Sequence, residues 1–212
     1  MQLQEATQMS SRAMQNFNIA SFEVDNQYGF PELFPVKKPV HCDNWIDFET
    51  AKRKRDNSCN GLHFFIDDYK FQCLWNSPKR YIDFLARKKC VVMPDFSMYT
   101  NFPAALQIYN KYRNHWLAAY YSINGVRIIP CVLATSSDHF DWIFDGLPKN
   151  SVLAVSDLGV AQALNYRLMF RLTYDEMIKR LDPIQILYFT RSIKTAPSEC
   201  TVIKLPFLKG CE

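Results

Sequence analysis

Short apolar runs recur along the chain from residue 62 onward, and segments with helical spacing separate them. Residues 62–66, 90–93, 126–133, 152–155 and 184–189 read as strands. Runs of this length without strict polar alternation suit a sheet that is buried on both faces. Between them, residues 78–88, 103–123, 138–144 and 162–181 carry helix signals. Ser77 stands before Pro78 as cap and first-turn residue, and Asn124-Gly125 closes the longest helix. Thr173 and Glu176 have capping-box spacing, which predicts a break and restart inside the last helix. Residues 201–205 offer a sixth strand. The alternation predicts an α/β fold: a mainly parallel sheet of five or six strands with flanking helices. The sequence leaves an open sheet and a TIM-barrel-like closure as alternatives.

The first 60 residues have no sustained period and read as an irregular N-terminal arm packed on the main body. Residues 4–17 and 45–55 are the helical candidates within it, the second capped by Asp43 or Asn44. Three prolines and a glycine over 28–39 favour turns, with Tyr28, Phe30 and Phe34 as aromatic anchors. The run Lys52-Arg53-Lys54-Arg55 falls at a helix C-terminus, where cations meet the macrodipole; the alternative reading is a phosphate-binding patch. The expected organisation is a single domain, an arm over 1–60 and an α/β body over 61–212.

Composition narrows the function classes. The chain has 212 residues, 48% of them hydrophobic and 22% charged, as in ordinary globular proteins. Six glycines supply neither a dinucleotide fingerprint nor a P-loop. A net charge of +4 is mild for a dedicated duplex binder. No run is long and apolar enough for a bilayer, so no membrane association is expected. Seven scattered cysteines, an odd number, read as free thiols in a reducing cytoplasm.

The candidate chemistry lies where the strands end. Asp67 and Asp68 follow the first run, Asp95 and Ser97 the second, Thr135, Ser136 and Ser137 the third, Ser156 and Asp157 the fourth, and Thr190 and Arg191 the fifth. In a parallel sheet these groups share the carboxyl edge, where α/β proteins place their sites. Asp67, Asp68 and Asp95 are the candidate catalytic acids. Carboxylates clustered there would hold a hard divalent cation such as magnesium, or raise the pKa of one member to make a general acid or base. The spacing does not separate these two readings, and Asp, Ser and Thr after strands also serve as plain caps. Gln107, Asn110 and Arg113 recur on one face of the long helix and, with Ser97, Tyr99 and Arg191, are the candidate ligand-binding set. His41, Cys42, Cys59 and His63 are the residue types of a zinc site, but their spacing is not that of a finger and favours packed or solvated residues.

Four blocks carry a family resemblance: His63-Phe64-Phe65-Ile66-Asp67-Asp68-Tyr69, Pro94-Asp95-Phe96-Ser97-Met98-Tyr99, Gln107-Ile108-Tyr109-Asn110-Lys111-Tyr112-Arg113 and Phe144-Asp145-Gly146-Leu147-Pro148-Lys149. In this order they resemble domain of unknown function 4417, a family of bacteria, phages and other mobile elements, over roughly residues 33–189. The resemblance implies a phage or mobile-element setting and the cytoplasm of a host. It brings no catalytic residues, and the family pattern has threonine or valine where this chain has Asp157. Three functions stay open: an enzyme processing a nucleotide or nucleic acid, a non-catalytic accessory or anti-defence protein that binds a host or phage protein, and a DNA- or RNA-binding module. Oligomeric state is not readable from the sequence.

Overall fold

A computed structural model describes residues 3–4, 21–22, 24–132, 136–158, 164–192 and 196–205. In chain order its elements are β1 (Leu3–Gln4), β2 (Ser21–Phe22), β3 (Trp45–Asp47), α1 (Phe48–Arg53), β4 (Gly61–His63), α2 (Gln72–Asn76), α3 (Ile82–Ala86), β5 (Cys90–Val92), α4 (Ala104–Ile123), β6 (Ile128–Ile129), β7 (Val152–Ser156), α5 (Leu164–Leu181), β8 (Gln185–Thr190) and β9 (Thr201–Lys204). The first two strands form an antiparallel pair of their own. All the others are parallel, in the orders β3-β4-β5-β6 and β7-β8-β9. A parallel bridge from Cys131 to Ala154 joins the two groups, and the Ala154 amide donates to Pro130 O at 2.8 Å. Strand order therefore follows chain order from β3 to β9, as repeated βαβ units dictate.

The sheet curls. The rings of Trp45 on β3 and Phe189 on β8 lie 4.9 Å apart. Laid flat, the strand spacings between them would separate these residues by about 24 Å. His63 and Phe65 also meet Phe189, at 5.6 and 5.0 Å, so these side chains fill the concave interior. Their chain neighbours point the other way, as strand alternation requires. Phe64 packs on Phe48 of α1 at 5.2 Å, and Tyr188 on Phe170 of α5 at 5.8 Å. Gly61 leaves room for the interior: a Cβ there would fall 2.5 Å from the Trp45 ring. The curl makes the sheet barrel-like, although among the described residues no ladder pairs β9 with β3 to close it.

Local differences from the sequence reading have physical causes. The helix expected over 45–55 divides into β3 and α1, because Asp47 caps the helix by accepting from Thr50 N at 2.8 Å. The strand expected over 126–133 shortens to β6 because Pro130 has no N–H to give the ladder. Thr173 does not break α5; its hydroxyl donates back to Met169 O at 2.8 Å within one continuous helix. The segment over 78–88 opens with a 3-10 turn, Pro78–Tyr81, before α3. Phe30 anchors the arm in full burial, whereas Phe34 remains exposed. The helix expected over 4–17 falls on residues that are, apart from Gln4 in β1, outside the described ones.

Cys42, Cys59, Cys73, Cys90, Cys131 and Cys200 are free thiols, and Cys211 lies outside the described residues. Thiol titration of the denatured, unreduced protein is expected to count all seven cysteines of the sequence; five or fewer would reveal a bridge. Among the described residues no helix is long and apolar enough to cross a membrane.

Candidate functional site

The loop from Pro94 to Phe102 follows β5 at the carboxyl edge and contains no helix or strand. Its backbone polar groups need partners from elsewhere. Helix α4 supplies them from a single face. Asn114 accepts from Phe96 N at 2.7 Å and donates to Phe96 O at 3.3 Å. Asn110 donates to Ser97 O at 2.6 Å, and Gln107 donates to Tyr99 O and Phe102 O at 3.1 and 2.9 Å. All three amides are buried. The row Gln107, Asn110, Asn114 is thus a clamp that fixes the loop behind the acids.

Arg113 extends the clamp sideways. Its guanidinium lies over the Phe96 ring at 3.6 Å and donates to Gln72 Oε1 at 3.0 Å and to Asn110 Oδ1. Its Nε is buried with no partner among the described residues. The positive charge acts on Asp68, whose carboxylate takes the Ser97 hydroxyl at 2.9 Å and the Ser97 amide at 3.1 and 3.2 Å. Burial raises the Asp68 pKa, and the Ser97 bonds and Arg113 oppose that rise.

Asp95 stands one residue past Pro94 on the same loop. The residue is half-buried, and its carboxyl accepts no hydrogen bond from a described residue. Burial, with the charge of Asp68 adding to it, pushes this carboxyl up to about 7. Asp67 is turned away: it is exposed and paired with Lys70 at 2.8 Å, holding that ammonium up at about 12. Asp68 and Asp95 are therefore electrostatic neighbours, and Asp67 belongs to the solvent-facing rim. Tyr69 and Tyr99 are exposed on that rim, and Tyr166 of α5 meets Thr100 at 3.5 Å. Arg191 follows β8 with its Nε buried and unpartnered among the described residues. Thr190 and Tyr188 donate to Asp157 at 2.8 and 3.3 Å. Thr135 is outside the described residues.

A second polar row on α4 was missed in the sequence. Lys111 Nζ is buried and donates to Ile143 O at 2.8 Å and Asp145 O at 3.0 Å, and it meets His115 Nε2 at 2.8 Å. His115 Nδ1 lies 3.0 Å from Pro31 O. Burial pulls the Lys111 amine down to about 7 and holds His115 well below the ordinary histidine range. A neutral His115 with its proton on Nδ1 donates to Pro31 O and presents Nε2 as an acceptor. Lys111 then faces three acceptors, which matches the three protons of an ammonium. The i, i+4 spacing of Lys111 and His115 was the available signal. His63, inside the barrel, is also buried; burial lowers it to about 4, and its Nδ1 has no described partner. His41 is exposed, and no group of three or more metal-ligating side chains forms among the described residues.

The four sequence blocks now have a common explanation, since each contributes to the acids, the loop or the clamp around α4. The chain matches the family described as "Domain of unknown function (DUF4417)" over residues 22–205. It belongs to that family. It is 36% identical over 173 residues to the Gene 1 protein of Mycobacterium phage L5, a match covering 80% of this chain and 74% of the relative. It is 30% identical over 172 residues to the Gene 1 protein of Mycobacterium phage D29, covering 81% of this chain and 63% of the relative. These relatives place the DUF4417 chain among phage proteins. No solved structure matches it.

Proposed function

We propose that this DUF4417 protein is an enzyme that processes a nucleotide or nucleic acid at the carboxyl edge of its barrel-like sheet, with Asp95 as general acid–base and Asp68 and Ser97 fixing its loop. The observation that carries the reading is an Asp95 carboxyl at this edge that no described residue hydrogen-bonds, held beside Asp68 on a clamped loop. A group titrating near neutral pH is suited to proton transfer. The exposed rings of Tyr69, Tyr99 and Tyr166 offer flat surfaces for bases. Acid–base work is favoured over a magnesium centre because both Asp68 oxygens are engaged by Ser97, which leaves Asp95 alone to face a cation.

The test is turnover of nucleoside phosphates and oligonucleotides by wild type and Asp95→Asn. Wild type is expected to show kcat/KM with an inflection near 7, and the variant a loss of at least about 100-fold. Stability gives an independent readout. A carboxyl raised in the folded state stabilises it fully below the unfolded pKa near 3.8, and that contribution is lost as pH rises through about 7. Asp95→Asn should therefore gain on wild type between these pH values and level off above, by on the order of 2 kcal/mol after allowing for partial exposure. Full activity in Asp95→Asn, or no turnover of any nucleotide or nucleic acid by wild type, would sink the proposal. An accessory role in binding a host or phage protein is the second reading. It is favoured by the outward stripe of Leu164, Leu168 and Leu172 on α5, exposed by 72, 59 and 43%.

A further inference from the structure

The two ends of the sheet carry opposite charge. The carboxyl edge holds Asp67, Asp68, Asp95 and Asp157, with Lys70 and Arg191 as the cations of its described loops. The loops that lead into the strands, at the amino-terminal end, carry exposed Lys37, Lys38, Lys54, Arg55, Lys89 and Arg127, which outnumber exposed Asp43, Asp182 and Glu199. Backbone bonds knit these loops into one surface. Gly61 N donates to Asn44 O at 3.0 Å, Lys89 N to Asn60 O at 3.1 Å and Val91 N to Arg127 O at 2.9 Å. Arg127 Nη2 in turn donates to Lys38 O at 3.1 Å. Parallel strands that start side by side thus bring together cations far apart in sequence.

The charges on this surface are not neutralised internally. No ion pair among the described residues uses Lys37, Lys38, Lys54, Arg55, Lys89 or Arg127. Asp56, which lies in the middle of the surface, is already committed. It accepts from Ser58 N at 2.7 Å and from the Ser58 hydroxyl, and buried Lys88 stands 3.6 Å away. Lys88 also donates to Asp56 O and Ser58 O at 2.8 and 3.1 Å, which stiffens the loop bearing Lys54 and Arg55. The short helix α1 ends at Arg53 with Lys54 as its C-cap, so its dipole accounts for the run over 52–55 but not for the cations of the other loops.

We infer that the amino-terminal end of the barrel-like sheet is a docking surface for the phosphate backbone of a nucleic acid, separate from the carboxylate site at the other end. Its chemistry is charge and hydrogen-bond donors; the exposed side chains around it include asparagines and serines such as Asn57, Ser58 and Asn124. A membrane-surface site would add apolar side chains for insertion between lipids. Across the β3 to β6 edge the surface spans about 14 Å at the usual strand spacing. A duplex presents roughly eight phosphate charges over that length. The strands themselves put about 10–20 Å between the two ends, so this contact anchors a polymer and does not deliver its bases to Asp95.

The test is fluorescence anisotropy of the full chain with labelled duplex and single-stranded oligonucleotides over a salt series. Wild type is expected to bind at low salt, with log K falling linearly in log salt. The double variant Lys54→Glu/Lys89→Glu should lose at least about tenfold in affinity, with a salt slope shallower by about two. Arg167→Glu/Arg171→Glu makes the same formal charge change on α5 and should bind as wild type. Asp95→Asn should also bind as wild type, which separates this surface from the proposed active site. Thermal melts of each variant check that the fold is retained. The inference is overturned by absence of binding at low salt, by equal losses in both double variants, or by binding confined to anionic lipid vesicles.

Discussion

Lys111→Met is expected to destabilise the protein by about 3–5 kcal/mol, as breaking a buried charged network does. The methionine would nearly match the stem in length, so little cavity contributes. What is lost is the ammonium that joins α4 to the carbonyls of Ile143 and Asp145 and to His115. Each buried acceptor left without a donor costs about 1–3 kcal/mol. The contact of the ammonium with the Phe30 ring, at 4.8 Å, is lost with it. Desolvation alone would make this position a favourable one for methionine. The prediction therefore decides between two views of the buried cation, and denaturant unfolding of the variant measures it. A variant as stable as wild type would show that the amine is neutral in the folded protein and that its carbonyl partners find other donors.

The parallel strands were legible because apolar runs such as 152–155 and 184–189 lie close to β7 and β8 in the structure. The curl was not, because it rests on the meeting of Trp45 and Phe189, residues on strands far apart in sequence. The acids after β4 and β5 were legible as strand-end residues. Which of them turns inward was not: Asp67 and Asp68 are adjacent, and only backbone geometry sends one to Lys70 and the other to Ser97. The polar row of α4 was legible as a row, but its partners are backbone groups of an irregular loop, which have no side-chain pattern to read. Net charge hid the placement of the cations, since a total of +4 says nothing of which loops carry them.

Gly146→Ala tests the other side of the α4 network and is expected to cost about 2–4 kcal/mol. Gly146 has φ +73, in the left-handed region, where an L side chain pays about 1–2 kcal/mol. A Cβ there would also fall 2.8 Å from Pro31 O and 2.9 Å from His115 Nδ1. Neither neighbour can swing away. Pro31 O is backbone, and His115 is held by Lys111 on one side of its ring and by Pro31 O on the other. The Gly146 carbonyl meanwhile accepts from Leu33 N at 2.9 Å, so the chain from Pro31 to Leu33 cannot retreat without breaking that bond. The methyl group thus pushes on the arm, the histidine and the lysine together. If strain propagates in this way, Gly146→Ala and Lys111→Met combined should cost less than the sum of the two, because each disrupts the network the other depends on. Full additivity in the double-mutant cycle, or an alanine variant as stable as wild type, would show that the block after Phe144 packs independently of α4.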